Sequence, residues 1–212
     1  TKPTEAMAEA ILEFTAPFDV EDQVATSTVA QFYRYVNPQS YGVYTASSDL
    51  LQLYGDQDIR SSQLLLPVNL AGVDANGNTI NREYYFTKKF QDNAGTMVVR
   101  LAEMYLIRAE ANARLGNAAE ALADVNLIRN RAGANQITSS EGILEAVFLE
   151  RRLELAFEGH LFFDLARFKK NIVRNDCIAT LCNLTYPNNF YVLPIPQNSI
   201  DINENMQQNE GY

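Results

Sequence analysis

Two amphipathic helices joined by a Gly-Asn step constrain this chain more than any other feature. Between residues 98 and 114, Arg100, Glu103, Glu110 and Arg114 recur at three- and four-residue spacing on one face, broken only by Ile107, while Val98, Leu101, Ala102, Tyr105 and Ala109 share another. Gly116-Asn117 ends this helix. The next one carries Ala118, Ala121, Leu122, Val125 and Ile128 inward and stops at Gly133, with Arg129 and Arg131 in its last turn, where cations suit the helix dipole. So short a connection makes the pair an antiparallel hairpin. Ala109 and Ala121, small residues on either side of Gly116, match the spacing of one tetratricopeptide unit. One unit cannot bury its own face, so further helices must cover it.

Residues 140–170 supply them. Ser140 as a cap and Glu141 in the first turn open a third helix, with Leu149, Leu153 and Phe157 on one stripe and Leu144, Phe148 and Leu155 on another. A helix apolar on two sides belongs inside a bundle, and Gly159 ends it. Residues 161–170 read as a fourth, shorter helix. Phe190-Tyr191-Val192-Leu193 predicts a short strand, Pro194-Ile195-Pro196 an extended path, and the last dozen or so residues a surface tail. Before residue 95 the chain is irregular and rich in Tyr, Ser, Asn and Gln. Thr4 could cap a short helix with Met7, Ala10, Ile11 and Phe14 on one side, and Ser48 or Asp49 a second with Leu50, Leu51, Leu53 and Tyr54. The turn at Asp74-Ala75-Asn76-Gly77-Asn78 predicts a hairpin. The expected fold class is mainly α: a tetratricopeptide-like helical hairpin, further helices, and irregular segments with a minor β-hairpin, dividing into residues 1–95 and 96–212.

Charge and composition exclude several functions. Lys and Arg number 17 against 26 Asp and Glu, a net −9, which opposes the broad phosphate contact that nucleic-acid binding needs. A single His excludes centres built on several, such as a three-His zinc site. No apolar run reaches the roughly 18 residues of a membrane span. Cys177 and Cys182 have neither zinc nor thioredoxin spacing and are either two buried thiols or a local disulfide of an oxidising compartment.

Each chemistry-bearing residue of the chain also has a simpler role open to it. Glu150 and Glu154 have the look of paired carboxylates for glycoside hydrolysis. The interleaved Arg151 and Arg152 would lower both pKa values and erase the asymmetry between acid and base, so Glu150, Arg151, Arg152 and Glu154 read as a structural ion-pair network. His160 and Asp164 lie four apart across Gly159 and read as capping and packing rather than a dyad. Asp74, Asn76 and Asn78 mimic the start of a calcium loop, but Thr79 and Tyr85 stand where Gly and Glu are due, which leaves a turn. No phosphate-cradling glycine loop or nucleophile elbow occurs. No catalytic residue, metal or cofactor is expected. A ligand would stack on aromatics: Tyr33, Tyr35, Tyr41 and Tyr44, with Asn37 and Gln39 to bond hydroxyls, could form one wall of a glycan site, or the tyrosines could be half-buried packing residues. The absence of Trp removes the largest stacking face.

Four ordered blocks resemble the SusD/RagB family of outer-membrane lipoproteins. They are Val99-Arg100-Leu101-Ala102-Glu103-Met104-Tyr105-Leu106-Ile107-Arg108-Ala109-Glu110-Ala111; Ile128-Arg129-Asn130-Arg131-Ala132-Gly133; Glu150-Arg151-Arg152-Leu153-Glu154-Leu155-Ala156-Phe157-Glu158-Gly159-His160 with Phe163-Asp164-Leu165-Ala166-Arg167; and Leu193-Pro194-Ile195-Pro196-Gln197 with the closing Gln208-Asn209-Glu210-Gly211-Tyr212. Leu161 and Glu210 stand where the family often has Arg and Pro. The resemblance implies a cell-surface carrier rather than a catalyst, capping a SusC-like TonB-dependent transporter and capturing oligosaccharides, or in RagB-like members peptides, for import. A helical scaffold binding only a protein partner is the other class. Family members are about twice as long, so the chain is expected to be the C-terminal portion of such a domain, with the lipid anchor and most helical repeats in an N-terminal half.

Overall fold

The computed structural model of the chain describes residues 9–14, 30–73, 76–90, 96–175, 177, 181–203 and 205–212. Contacts divide it into two units, residues 1–158 and 159–212. The aromatic-rich segment and the helical hairpin therefore belong to the same unit.

In the first unit the element order is β1 (Ala10–Phe14), α1 (Ala30–Tyr33), β2 (Tyr35–Asn37), β3 (Ser40–Tyr41), α2 (Ser48–Leu51), α3 (Arg60–Gln63), β4 (Leu65–Val73), β5 (Thr79–Thr87), β6 (Thr96–Arg100), α4 (Leu101–Leu115), α5 (Ala118–Arg131) and α6 (Ile143–Glu154). Among the described residues the strands form three antiparallel pairs, β1 with β6, β2 with β3 and β4 with β5.

The helical hairpin forms as the spacing requires. α4 ends at Gly116, whose φ of 84° is left-handed; a residue with a Cβ would pay roughly 1–2 kcal/mol there. Ala109 and Ala121 are both fully buried at the crossing. Arg108 of α4 holds Asp124 of α5 with two hydrogen bonds of 2.8 and 2.6 Å. Ala102, Leu106, Ile128 and Leu155 form the core beneath, with Tyr105 against it. The expected inward face of α4 is corrected: Leu106 is buried, while Leu101 and Val98 are exposed. The cause is a strand where helix was expected. Thr96, Val98 and Val99 favour extended backbone, and residues 96–100 pair with 10–14. The same pairing overturns the Thr4-capped helix, whose described part, Ala10–Phe14, is β1; residues 1–8 lie outside the described set. A helix so short is unstable by itself, and a strand partner outweighs it.

Other ends shift by a few residues. The cap of α2 is Ser47, not Ser48 or Asp49, and its hydroxyl accepts the Leu50 N–H at 3.3 Å. α6 starts after a left-handed Gly142 instead of a Ser140 cap, so Glu141 precedes it. It stops at Glu154 rather than Gly159, because Phe157 has already left helical geometry at φ 69°. The predicted hairpin at 74–78 is present and longer than expected, with nine residues on each strand in unbroken register from Leu65↔Thr87 to Val73↔Thr79.

The second unit holds α7 (Leu161–Arg167), a 3₁₀ turn (Asn189–Tyr191) and α8 (Gln197–Ile202). Ile172, Leu184 and Tyr191 are its core, with Phe162, Leu165 and Tyr186 packed around them. Lys169 turns left-handed at φ 56°, which ends the helix before the predicted residue 170. The expected strand at 190–193 is instead the 3₁₀ turn, which places the Tyr191 hydroxyl on the Lys170 carbonyl at 2.6 Å. The final residues are fastened rather than loose. The Gln208 side chain accepts from the Ile195 N–H at 2.8 Å and donates to its carbonyl at 2.9 Å, and Asn209 donates to the Leu193 carbonyl. Cys177 and Cys182 form a disulfide with Cα atoms 5.6 Å apart, which selects the second of the two readings of the cysteines.

Candidate ligand-binding site

The long hairpin presents two different faces. Alternation along β5 puts Ile80, Arg82, Tyr84 and Phe86 on one side, and their β4 partners Gly72, Leu70, Val68 and Leu66 share it. The segment after β3 is laid against this hairpin, where the Ala46 N–H donates to the Tyr85 carbonyl at 2.8 Å. Between them lies a groove of about 310 Å³, lined chiefly by Tyr41, Val43, Leu70, Ile80, Arg82 and Tyr84, with Phe86 at its base. Phe86 is 1% exposed and contacts the rings of Tyr35 and Tyr41 at centroid distances of 5.4 and 5.9 Å.

Gly42 makes the close approach of this segment possible. Its N–H donates to the Arg34 carbonyl, and a Cβ there would fall on the backbone of Phe32 and Tyr33. Gly42→Ala is expected to cost about 1–3 kcal/mol and to loosen Tyr41. Urea denaturation checks this, with Gly72→Ala as the silent control, since the added methyl there meets only Ile80 Cγ1 at 4.0 Å.

The six residues singled out from the sequence do not converge. Tyr41 lines the groove and is about half exposed. Tyr35 stacks beside it at 6.4 Å and packs on Phe86. Tyr33 sits among Tyr44, Phe90 and Phe157, a packing role. Tyr44 is exposed, with its ring against Phe32 and Tyr33. Asn37 and Gln39 make the β2–β3 turn, where the Asn37 side chain accepts the Gln39 N–H at 2.9 Å. Arg82, Tyr84, Leu70 and Ile80 were missed; the period-two pattern of 79–87, set in register with 65–73, was the signal that could have found them.

The carboxylates lie elsewhere in the same unit, in a buried ion cluster. Glu150, fully buried, accepts from Arg60 at 2.7 Å and Arg129 at 2.8 Å. Glu154 accepts from Arg60 at 3.0 Å, from Arg100 at 2.6 Å and from Arg131. Asp58 takes the other edge of Arg60. Lys89 donates to the carbonyls of Glu154 and Ala156 and to Glu158, closing the end of α6, and Arg100 joins Glu158 at 2.8 Å. The cations on Glu150 and Glu154 thus arrive from α3, the end of β6 and α5, rather than from the adjacent Arg151 and Arg152. Burial by itself would raise the Glu154 pKa, but the guanidinium groups of Arg100 and Arg131 outweigh it and hold the carboxyl at about 2; Glu158 is lowered in the same way by Lys89 and Arg100. Such carboxylates are poor proton donors. The Tyr54 hydroxyl beside them is pushed up to about 12, chiefly by burial.

An acid transition follows from these shifts. Glu154 drops from 4.5 unfolded to about 2 folded, so its contribution is complete above pH 4.5 and disappears as pH falls toward 2. That drop corresponds to about 3 kcal/mol. Urea midpoints between pH 6 and pH 2.5 are expected to fall mainly below pH 4.5, and a flat profile would refute the assignment.

In the second unit, Arg167 holds Asp164 at 2.8–2.9 Å, the Asp164 N–H donates to the His160 carbonyl, and the His160 side chain makes no cap hydrogen bond to α7, contrary to the capping role expected of it. Among the described residues no group of His, Cys, Asp and Glu gathers as a metal-ligand set, and no helix is long and apolar enough to cross a membrane.

Comparison with known proteins gives these features a context. The model of the SusD family matches residues 13–212. SusD-like protein P25 of Formosa agariphila is 30% identical over 191 residues, covering 81% of this chain and 36% of that protein. The starch-binding protein SusD of Bacteroides thetaiotaomicron is 38% identical over 117 residues, covering 53% of this chain and 21% of that protein. A solved SusD superfamily protein from Bacteroides vulgatus has a TM-score of 0.75 at 27% identity, covering 96% of this chain and 46% of that one. Another from Bacteroides thetaiotaomicron has a TM-score of 0.75 at 26% identity, covering 97% and 49%. The chain spans less than half the length of each of these relatives.

Proposed function

The chain belongs to the SusD family, and from that premise we propose that it is the carbohydrate-binding portion of a surface carrier, with the groove between the β3 segment and the β4–β5 hairpin as its saccharide site. The observation that carries this reading is the placement of Tyr41 and Tyr84 along one groove with an aliphatic wall. Sugar rings expose apolar C–H faces that stack on flat aromatics, and a concave, mostly apolar cleft with few polar groups suits a small ligand. The whole protein acts as a binder and not as a hydrolase, since the carboxylates best placed in sequence for hydrolysis are consumed by guanidinium groups. Delivery to a SusC-like TonB-dependent transporter and lipid anchoring at the outer membrane belong to the same proposal, which membership of the family supports. The Cys177–Cys182 disulfide supports a location outside the reducing cytosol.

Calorimetric titration of the full-length protein with a panel of oligosaccharides tests this. Saccharide binding is expected, weakened about tenfold or more by Tyr41→Ala and by Tyr84→Ala. Binding of peptides alone, or of a transporter without any small ligand, would overturn it, as would saccharide affinity indifferent to both changes.

A further inference from the structure

We propose that the saccharide held in this groove is anionic, and that Arg82 is the residue that recognises its acidic group; this rests on the carbohydrate reading above. Arg82 is the single charged residue among those lining the groove. Its place there follows from register: it stands opposite Leu70 on β4, on the face shared with Ile80 and Tyr84.

Its position differs from that of seven other arginines. Arg60, Arg100, Arg108, Arg114, Arg129, Arg131 and Arg167 each hold a carboxylate. In a chain of net −9, carboxylates are plentiful, yet Arg82 pairs with none among the described residues. Among the described residues its guanidinium lies over the Tyr84 ring, whose centroid is 5.6 Å from the guanidinium carbon. None of its five N–H donors is taken by a hydrogen bond among the described residues. The neighbouring Glu83 projects from the opposite face of the strand, and its carboxylate accepts the Tyr85 hydroxyl at 2.5 Å. Among the described residues no acid of the hairpin therefore lines the groove beside Arg82.

A planar donor fork beside an aromatic stacking face has the shape of a site for a sugar whose ring carries a charged substituent. The ring lies on Tyr84 or Tyr41 and the anion meets Arg82. Carboxylate geometry matches the fork in a bidentate manner, and a sulfate ester offers the same oxygen pair. The shared chemistry is an oxyanion on a pyranose, and the source is decided by experiment.

The test uses the full-length protein, titrated with a tetra-galacturonate, its carboxyl-reduced neutral counterpart, and a sulfated galactose tetramer. One of the two acidic oligomers is expected to bind at least tenfold more tightly than the neutral one. Arg82→Gln should bring the ratio of acidic to neutral affinity down to about one, whatever its effect on the neutral oligomer. The side chain is exposed and has no hydrogen bond among the described residues, so the melting temperature of the variant should not move. If acidic and neutral sugars bind alike, or if Arg82→Gln weakens both equally, the inference fails while the groove stands, provided Tyr41→Ala still abolishes binding. If no saccharide binds at all, the carbohydrate reading falls and this inference falls with it.

Discussion

Glu154→Ala is expected to destabilise the protein by about 3–5 kcal/mol. The loss comes from what is left behind. Arg60 and Arg100 are buried to side-chain exposures of 5% and 10%, and both bond the Glu154 carboxylate. Without it, their charge is held in a medium that solvates it poorly, and neither can turn to water. Arg131 also bonds Glu154, but its side chain is 40% exposed and can reorient. Arg131→Ala alone should therefore cost much less, about 1 kcal/mol or under. A double-mutant cycle in urea separates the two contributions, and comparable losses from both single changes would show that the buried arginines are not the cause.

Phe86→Ala should cost a similar amount, about 3–5 kcal/mol, because a fully buried ring is removed and its neighbours cannot all collapse into the space. Its second consequence is specific to the site. Tyr35 and Tyr41 both rest on Phe86, so the wall of the groove loses its support. Saccharide affinity should fall along with stability. Phe86→Leu distinguishes the two effects. It keeps most of the volume, should cost under about 1.5 kcal/mol, and should still weaken binding by removing the ring that orients Tyr41. If Phe86→Leu binds as the parent does, Tyr41 is positioned by the backbone around Gly42 and not by the ring.

The helical hairpin was legible in the sequence because its determinants are local: Ala109 and Ala121 at a crossing, a left-handed Gly116, and a stripe at helical period. The errors lie where a distant partner decides. Residues 10–14 form a strand only because 96–100 lie beside them, and that pairing spans most of the first unit. The carboxylate pair was recognised as structural, yet the cations were named from sequence adjacency. Neighbours on one helix at i+1 point away from each other, whereas Arg60 reaches Glu150 across ninety residues. The site was half legible for the same reason. Composition drew attention to the tyrosine-rich segment, of which Tyr41 takes part. Arg82 and Tyr84 were hidden because composition does not tell which face of a strand a residue occupies; register does.

Among the described residues the ion cluster and its rim are also electroneutral. Glu9, Asp58, Glu150, Glu154 and Glu158 face Arg60, Lys89, Arg100, Arg129 and Arg131, five charges of each sign. Seen from outside it is a multipole with no net monopole, and its field fades quickly with distance. Added salt, which screens exposed charges over about 10 Å at 0.1 M, has little hold on it. The ionic-strength response of the molecule is thus left to its exposed charges, Arg82 of the groove among them.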